Sequence, residues 1–393
     1  CSSDLFRGVH VRPQNGLMET LGLYVHIPFC RRKCAYCDFV SYPGRDAQMD
    51  DYIDAVISEA RLYADALSSY RVDTVFVGGG TPSLLSPRQF ERLAEGLKSC
   101  CRWDVSEFTV EANPETLDAE KAAAYAACGV NRLSIGLQTH DNAILQRIGR
   151  RHTWEVFLRA YETAAKHITD INVDTIFGLP GQTLEGFLET LRRVIALHPA
   201  HVSSYALKLE PGTPLAEQFA GADEDMDREM YHEGIRLLES AGLLQYETSN
   251  FALPGRECRH NLKYWTGGEY LGLGAAAHSF LRGDAPVRFG NMRDMDEYIR
   301  MVKDGRRPVA QQETLTPDDE RAEYVMLRMR LKRGIAFADY AARFGRSFED
   351  DFADALLGCE KAGLIEWTHA GISPTIKGFD LQNALIVMLL DRL

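Results

Sequence analysis

Six short apolar runs alternate with amphipathic stretches across residues 21–250, and this alternation restricts the possible folds more than any other feature of the chain. The runs fall at 21–27, 74–77, 108–111, 132–137, 171–176 and 201–207, with helix-like stretches at 47–67, 87–97, 119–127, 154–165, 183–197 and 227–240. A strand joined to the next parallel strand through a helix makes a right-handed crossover, so the repeat predicts a parallel sheet covered by helices. Six units are too few to close an eight-fold barrel, which predicts an α/β fold of the partial (β/α)6 barrel type, open on one side. The C-terminal ends of parallel strands share one face, and the loops that follow them build the ligand site.

The chemistry-bearing residues stand in those loops. After the first run, His26-Ile-Pro-Phe-Cys30-Arg-Arg-Lys-Cys34-Ala-Tyr36-Cys37 places three cysteines close together. Three thiolates can hold three irons of a [4Fe–4S] cluster and leave the fourth open to a small molecule. Zinc, with His26 or another residue as a fourth ligand, is the rival; structural zinc usually draws on two short ligand pairs, and no second pair lies nearby. Nine cysteines, an odd number in a chain of 393 residues, speak against a disulfide framework. Gly78-Gly79-Gly80-Thr81-Pro82 follows the second run and offers backbone amides with no side chains to block approach. No Gly-Lys-Ser/Thr follows it, which argues against a phosphate loop. Glu111, Gln138, Arg150 and Asp174 stand at or beyond later strand ends, where the ordinary alternative is a surface or cap role. Together they supply acceptors for ammonium and ribose groups and a guanidinium for a carboxylate.

The remainder divides by composition. An N-terminal extension (1–20) precedes the barrel (21–250), and a segment rich in Gly, aromatic and polar residues (251–313) is expected to close it. Residues 314–393 read as a winged-helix-like α+β domain: Thr316-Pro317-Asp318-Asp319 is a helix start, helices follow at 318–331, 337–344 and 348–362, and a β pair at 364–367 and 372–375. The net charge is −12, the C-terminal domain carries Glu349-Asp350-Asp351, and no basic face stands out. A nucleic-acid partner is therefore not expected. No apolar run of about 18 residues and no signal peptide is visible. Cys1 reads as a truncated or processed start rather than a lipid-anchored end. An air-sensitive cluster favours a reducing compartment, so a cytoplasmic location is expected.

Cys-x3-Cys-x-aromatic-Cys, followed by the glycine run and further strand-end motifs, resembles the radical S-adenosylmethionine (SAM) superfamily. The resemblance implies a [4Fe–4S] cluster on Cys30, Cys34 and Cys37, with the SAM amino and carboxylate groups on the open iron. Val-Glu111-Ala-Asn-Pro-Glu, Ser-Ile-Gly-Leu-Gln138, Ile-Gly-Arg150-Arg-His and Asn-Val-Asp174-Thr-Ile-Phe-Gly-Leu-Pro-Gly-Gln are similar to SAM-binding motifs of the oxygen-independent coproporphyrinogen III oxidase group. By that match Tyr24, Tyr36, Gly79, Gly80, Thr81, Glu111, Gln138, Arg150, Asp174 and Ala206 are the expected SAM contacts.

Two branches share that scaffold. The oxidases resemble Cys-x3-Cys-x2-Cys-x-Cys, whereas Phe39 holds the last position here, as in the HemW-type haem chaperones. His260-Asn261-Leu-Lys-Tyr264-Trp265 resembles the haem-binding motif of the chaperone branch. An imidazole can ligate haem iron, and Tyr264 and Trp265 can stack on a macrocycle. Cys258 and His278 are alternative ligands, and the plain alternative is a packed loop in which His260 holds backbone. The resemblance implies a haem chaperone that passes haem to acceptor haem proteins such as respiratory enzymes. It leaves open a homodimer and peripheral contact with the membrane. The competing expectation is an enzyme, the oxygen-independent coproporphyrinogen III oxidase itself.

Overall fold

The computed structural model describes residues 18–219, 223–283 and 285–391. Cys1 and residues 2–17 of the expected N-terminal extension lie outside the described residues.

All six expected strands form, in sequence order and mutually parallel: β1 (Glu19–Ile27), β2 (Tyr70–Gly79), β3 (Arg102–Ala112), β4 (Arg132–Gln138), β5 (Asp170–Phe177) and β6 (His201–Ala206). Helices α1 (Met49–Leu62), α2 (Pro87–Lys98), α3 (Ala119–Ala127), α4 (Trp154–Ala164) and α5 (Leu184–Ile195) make the crossovers, and α6 (Glu224–Ser240) follows β6. Helix α2 shows the local logic. Ser86 and Gln89 form a capping box, Pro87 occupies the first turn, and Lys98 lies in the last. Phe90, Leu93, Ala94 and Leu97 recur at helical spacing, and all four are buried. Burying Phe90 alone is worth about 1.5–3 kcal/mol. Strand β4 is buried along its whole length, as expected for a central parallel strand covered on both faces.

The sheet extends past both edges of this parallel set. On the β6 side, β7 (Leu244–Gln245) and β8 (Asn250–Ala252) add antiparallel strands. Helix α7 (Arg259–Thr266) comes next, and β9 (Tyr270–Leu273) pairs parallel to β1. Antiparallel β10 (His278–Leu281), β11 (Val287–Asn291) and β12 (Val309–Thr314) continue outward, with α8 (Met295–Lys303) between the last two. The result is one open twelve-stranded sheet. Within residues 251–313, strands β9 to β12 therefore lengthen the sheet at β1 rather than closing a barrel. These strands are only four to six residues long, so periodicity in the sequence is weak there.

The C-terminal helices α9 (Pro317–Arg328), α10 (Phe337–Phe344) and α11 (Phe348–Lys361) alternate with β13 (Ile335–Ala336), β14 (Ile365–Trp367) and β15 (Gly371–Pro374) in a three-stranded antiparallel wing. Helix α12 (Gln382–Leu390) packs against α11. Val325, Met329, Tyr340, Phe348, Phe352, Ile372 and Leu385 form their own buried cluster. Among the described residues no helix is long and apolar enough to cross a membrane, and no cysteine is in a disulfide.

Candidate functional site

The C-terminal ends of β1 to β6 surround an open cavity of about 610 Å³. Cys30, Cys34 and Cys37 line it, and so do Tyr24, Tyr36, Gly79, Gly80, Thr81, Glu111, Gln138, Arg150, Asp174 and Ala206. Parallel topology accounts for this meeting of residues from six strand ends.

The cysteine loop is pinned from several directions. Phe29–Cys30 pairs in parallel with Tyr42–Pro43. Ala35 N donates to Ile148 O at 3.0 Å, and Leu215 N donates to Ala35 O at 2.9 Å. Cys30 Sγ lies 3.4 Å from Thr81 Oγ1. Arg150 donates to Cys34 Sγ at 3.7 Å, to Asn113 Oδ1 at 2.8 Å and to Gly136 O at 2.6 Å, so one guanidinium ties the loop to β3 and β4. Arg151 is exposed and does not line the central cavity.

The glycine run works differently from the sequence expectation. Gly79 N donates to Glu111 Oε2 at 3.0 Å, and Gly80 N donates to Ile27 O at 2.9 Å. The amides are engaged inside the protein. The glycines are needed because chain packs directly on them: a Cβ on Gly80 would stand 2.7 Å from Phe29 O, and Gly79 has φ +106° with the His26 ring against it. Gln138 has φ 75°, a left-handed conformation that is rare outside glycine. It costs on the order of 1 kcal/mol and places this buried side chain in the cavity wall at an irregularity in the β4–β5 register.

Burial sets the electrostatics. Glu111 is pushed up to about 7, first by burial and then by Asp174. Burial also raises Asp174, although Ser134 and Asn172 donate to its carboxylate at 3.0 and 2.7 Å. Tyr24 donates to His26 Nδ1 at 3.0 Å, while His26 Nε2 donates to Val40 O at 2.8 Å. Asn113, which bridges Arg150 and Thr81, is a supporting residue that sequence reading missed, and His26, considered there only as a zinc ligand, instead orients Tyr24. Asn113 stands two places after Glu111 at a strand end, and that position was the available signal.

The motif at 260–265 is a helix, not a loop. Glu107 of β3 caps α7 by accepting from Arg259 N at 2.7 Å and His260 N at 2.9 Å. His260 is fully buried; its Nδ1 pairs with Thr74 Oγ1 at 3.0 Å and its Nε2 with Tyr264 Oη at 2.8 Å. Its ring stacks on Phe76 at 5.5 Å. Burial, then Lys263 and Arg132, push it down to about 3, so the imidazole is neutral. Asn261 and Tyr264 reach the cavity, whereas Trp265 lines a second, smaller pocket together with the other side of Tyr264. Among the described residues no histidine lines the central cavity. Cys258 is buried, and His278 is exposed on β10.

Comparison with known proteins adds the family. Residues 24–194 match the model of the radical SAM superfamily, and residues 315–381 match that of the HemN C-terminal domain. The heme chaperone HemW of Bacillus subtilis is 33% identical over 378 residues, covering 94% of this chain and 99% of that protein. The chain belongs to the HemW haem chaperone family. The Escherichia coli member is 39% identical over 265 residues, 66% of this chain and 70% of that protein. The solved structure of E. coli coproporphyrinogen III oxidase (HemN), a radical SAM enzyme, superposes with a TM-score of 0.83 at 26% identity, covering 95% of this chain and 91% of that one.

Membership of the superfamily implies a [4Fe–4S] cluster and SAM. The residues fit both. The three thiols share one cavity wall, yet among the described residues no three His, Cys, Asp or Glu side chains group tightly enough for a single metal ion. Thiols spread around a loop suit separate irons of one cluster. Arg150 Nε is buried with no partner, a donor left for a carboxylate. Glu111 and Asp174 are two half-buried carboxyls facing the same space, which suits an ammonium and a ribose.

Proposed function

We propose that this protein binds haem and delivers it to acceptor haem proteins, respiratory enzymes among them, while holding a [4Fe–4S] cluster on Cys30, Cys34 and Cys37 and SAM beside it. Phe39 carries the choice between this reading and porphyrinogen oxidation. It is 62% exposed on the lip of the cavity, where the oxidase pattern has a fourth cysteine. Full-length similarity to proteins named haem chaperones supports the same choice.

When bound, the cluster supplies one-electron chemistry at an iron with an open coordination position. The chain's own residues do the rest. Arg150 takes the SAM carboxylate while holding the cysteine loop in place. Glu111 accepts from the ammonium, and Asp174 with Gln138 accepts from the ribose hydroxyls. Asn261 and Tyr264 present the 260–265 motif to the cavity. His260 acts from behind Tyr264, holding its hydroxyl in place.

Anaerobically reconstituted protein tests the reading. The expected result is four irons and four sulfides per chain on the cluster model, together with stoichiometric haem uptake and transfer to an apo-acceptor. Formation of protoporphyrinogen from coproporphyrinogen III, with SAM and reductant, would identify an oxidase instead.

A further inference from the structure

A second pocket of about 130 Å³ lies between α7, strands β9 to β11 and helix α9 of the C-terminal domain. Its walls are aromatic: Tyr264, Trp265, Tyr270, Phe280 and Tyr324. Tyr264 and Tyr270 meet edge to face at 4.6 Å. The charged lining residues are Arg288, Arg343 and Glu323.

Two buried polar atoms of the pocket residues have no partner. Tyr324 is 3% exposed, and its Oη makes no hydrogen bond. Arg343 Nε is also buried and unpaired. A buried donor without an acceptor is costly, and a native protein keeps few of them without a use. The local charges are unbalanced as well. Arg288 is paired with Glu323. Glu320 is claimed by Arg282 at 2.5 Å, so Arg343 has only a 3.4 Å share of that carboxylate. Burial and the neighbouring Arg282 push the Arg343 guanidinium down, against the opposing pull of Glu320, and its other hydrogen bond is a long one to Thr266 O at 3.5 Å. The volume is below the roughly 300–1,000 Å³ of a pocket that encloses a whole ligand, so it suits one acidic arm of a larger body.

The geometry points to a carboxylate slot: Arg343 Nε and Tyr324 Oη donate to a carboxylate, and Trp265 with the surrounding rings packs on the flat apolar body that carries it. The identity of that body rests on the chaperone reading, under which it is haem and the carboxylate is a propionate. Tyr264 borders both this slot and the central cavity, so the 260–265 motif faces the slot as well as the strand ends.

The test titrates ferric haem and its dimethyl ester into the full chain as wild type, Tyr324→Phe and Arg343→Met. Tyr324→Phe is expected to weaken haem binding about fivefold, and Arg343→Met about tenfold or more, from the loss of one neutral and one charged donor. The ester lacks the carboxylates, so all three proteins bind it with the same, weaker affinity. Tyr324→Phe melts no lower than wild type, because the deleted hydroxyl has no partner. Equal wild-type affinity for acid and ester, or unchanged haem binding by both variants, would overturn the slot. A wild type that takes up neither form overturns the chaperone reading. Calorimetry with 2-naphthoate, a single carboxylate on a flat body, then decides the slot alone, and no difference in heat from Arg343→Met overturns it.

Discussion

His260→Ala separates a packed, neutral imidazole from an iron ligand. The native ring is fully buried against Phe76, with one hydrogen bond to Thr74 and one to Tyr264. Truncating a side chain of this size in a core costs about 2–3 kcal/mol in lost transfer and cavity. Two neutral hydrogen bonds add about 1 kcal/mol each. The expected loss at pH 7.5 is therefore about 4 kcal/mol. The same burial makes this number depend on pH. His260 is pushed down to about 3, below its unfolded value near 6.5. From pH 6.5 downward the unfolded chain binds a proton that the folded protein refuses, so wild-type stability falls as pH falls. At pH 5 this linkage has removed about 2 kcal/mol from wild type and nothing from the variant. The measured difference should thus shrink from about 4 to about 2 kcal/mol between pH 7.5 and pH 5, read by urea unfolding of both proteins. A variant as stable as wild type at both pH values, but with altered axial ligation in its haem spectrum, would refute this reasoning and return His260 to the iron.

Three further substitutions probe the cavity. Arg150→Met should weaken SAM binding by about 10- to 100-fold and, because the same guanidinium ties Cys34 to β3 and β4, should also lower the iron retained after reconstitution. Equilibrium dialysis against SAM with parallel iron analysis checks it. Gly80→Ala places a Cβ 2.7 Å from Phe29 O and 2.8 Å from Ile27 O, both backbone atoms, so it should lower stability by about 1–3 kcal/mol and loosen the cysteine loop. A melting curve and the sulfide content after reconstitution measure both effects. Gln138→Gly relieves the left-handed backbone and should leave the fold equally or more stable by up to about 1 kcal/mol while SAM affinity falls. A parallel loss of stability would show that the side chain is structural.

Local pattern made much of the molecule legible. The six parallel strands and their helices follow from apolar periodicity, which depends only on neighbours in the chain. The start of α9 follows from Thr316, Pro317 and Asp319, which cap it as their sequence suggests. The cysteine loop and the strand-end residues were legible because parallel topology sends every such loop to one face. The 260–265 motif was harder to read. Its residue types suggested a single haem-facing surface, but the helix sends His260 inward, Asn261 to the cavity and Trp265 to the second pocket. The glycines were also misread, since only the returning chain at Ile27 and Phe29 reveals what presses on Gly80.

Sequence alone determined the repeating units, the three thiols and the order in which their loops meet at one mouth, because those depend on short-range periodicity and on the handedness of crossovers. Tertiary structure alone decided that Gln138 is held in a left-handed turn, that Glu107 caps a helix 152 residues later at Arg259, and that Arg343 and Tyr324 line one pocket with Trp265 while each keeps a buried polar atom without a partner. Those facts arise where distant segments exclude water and compete for the same polar partners. Such competition leaves no periodic trace in the chain.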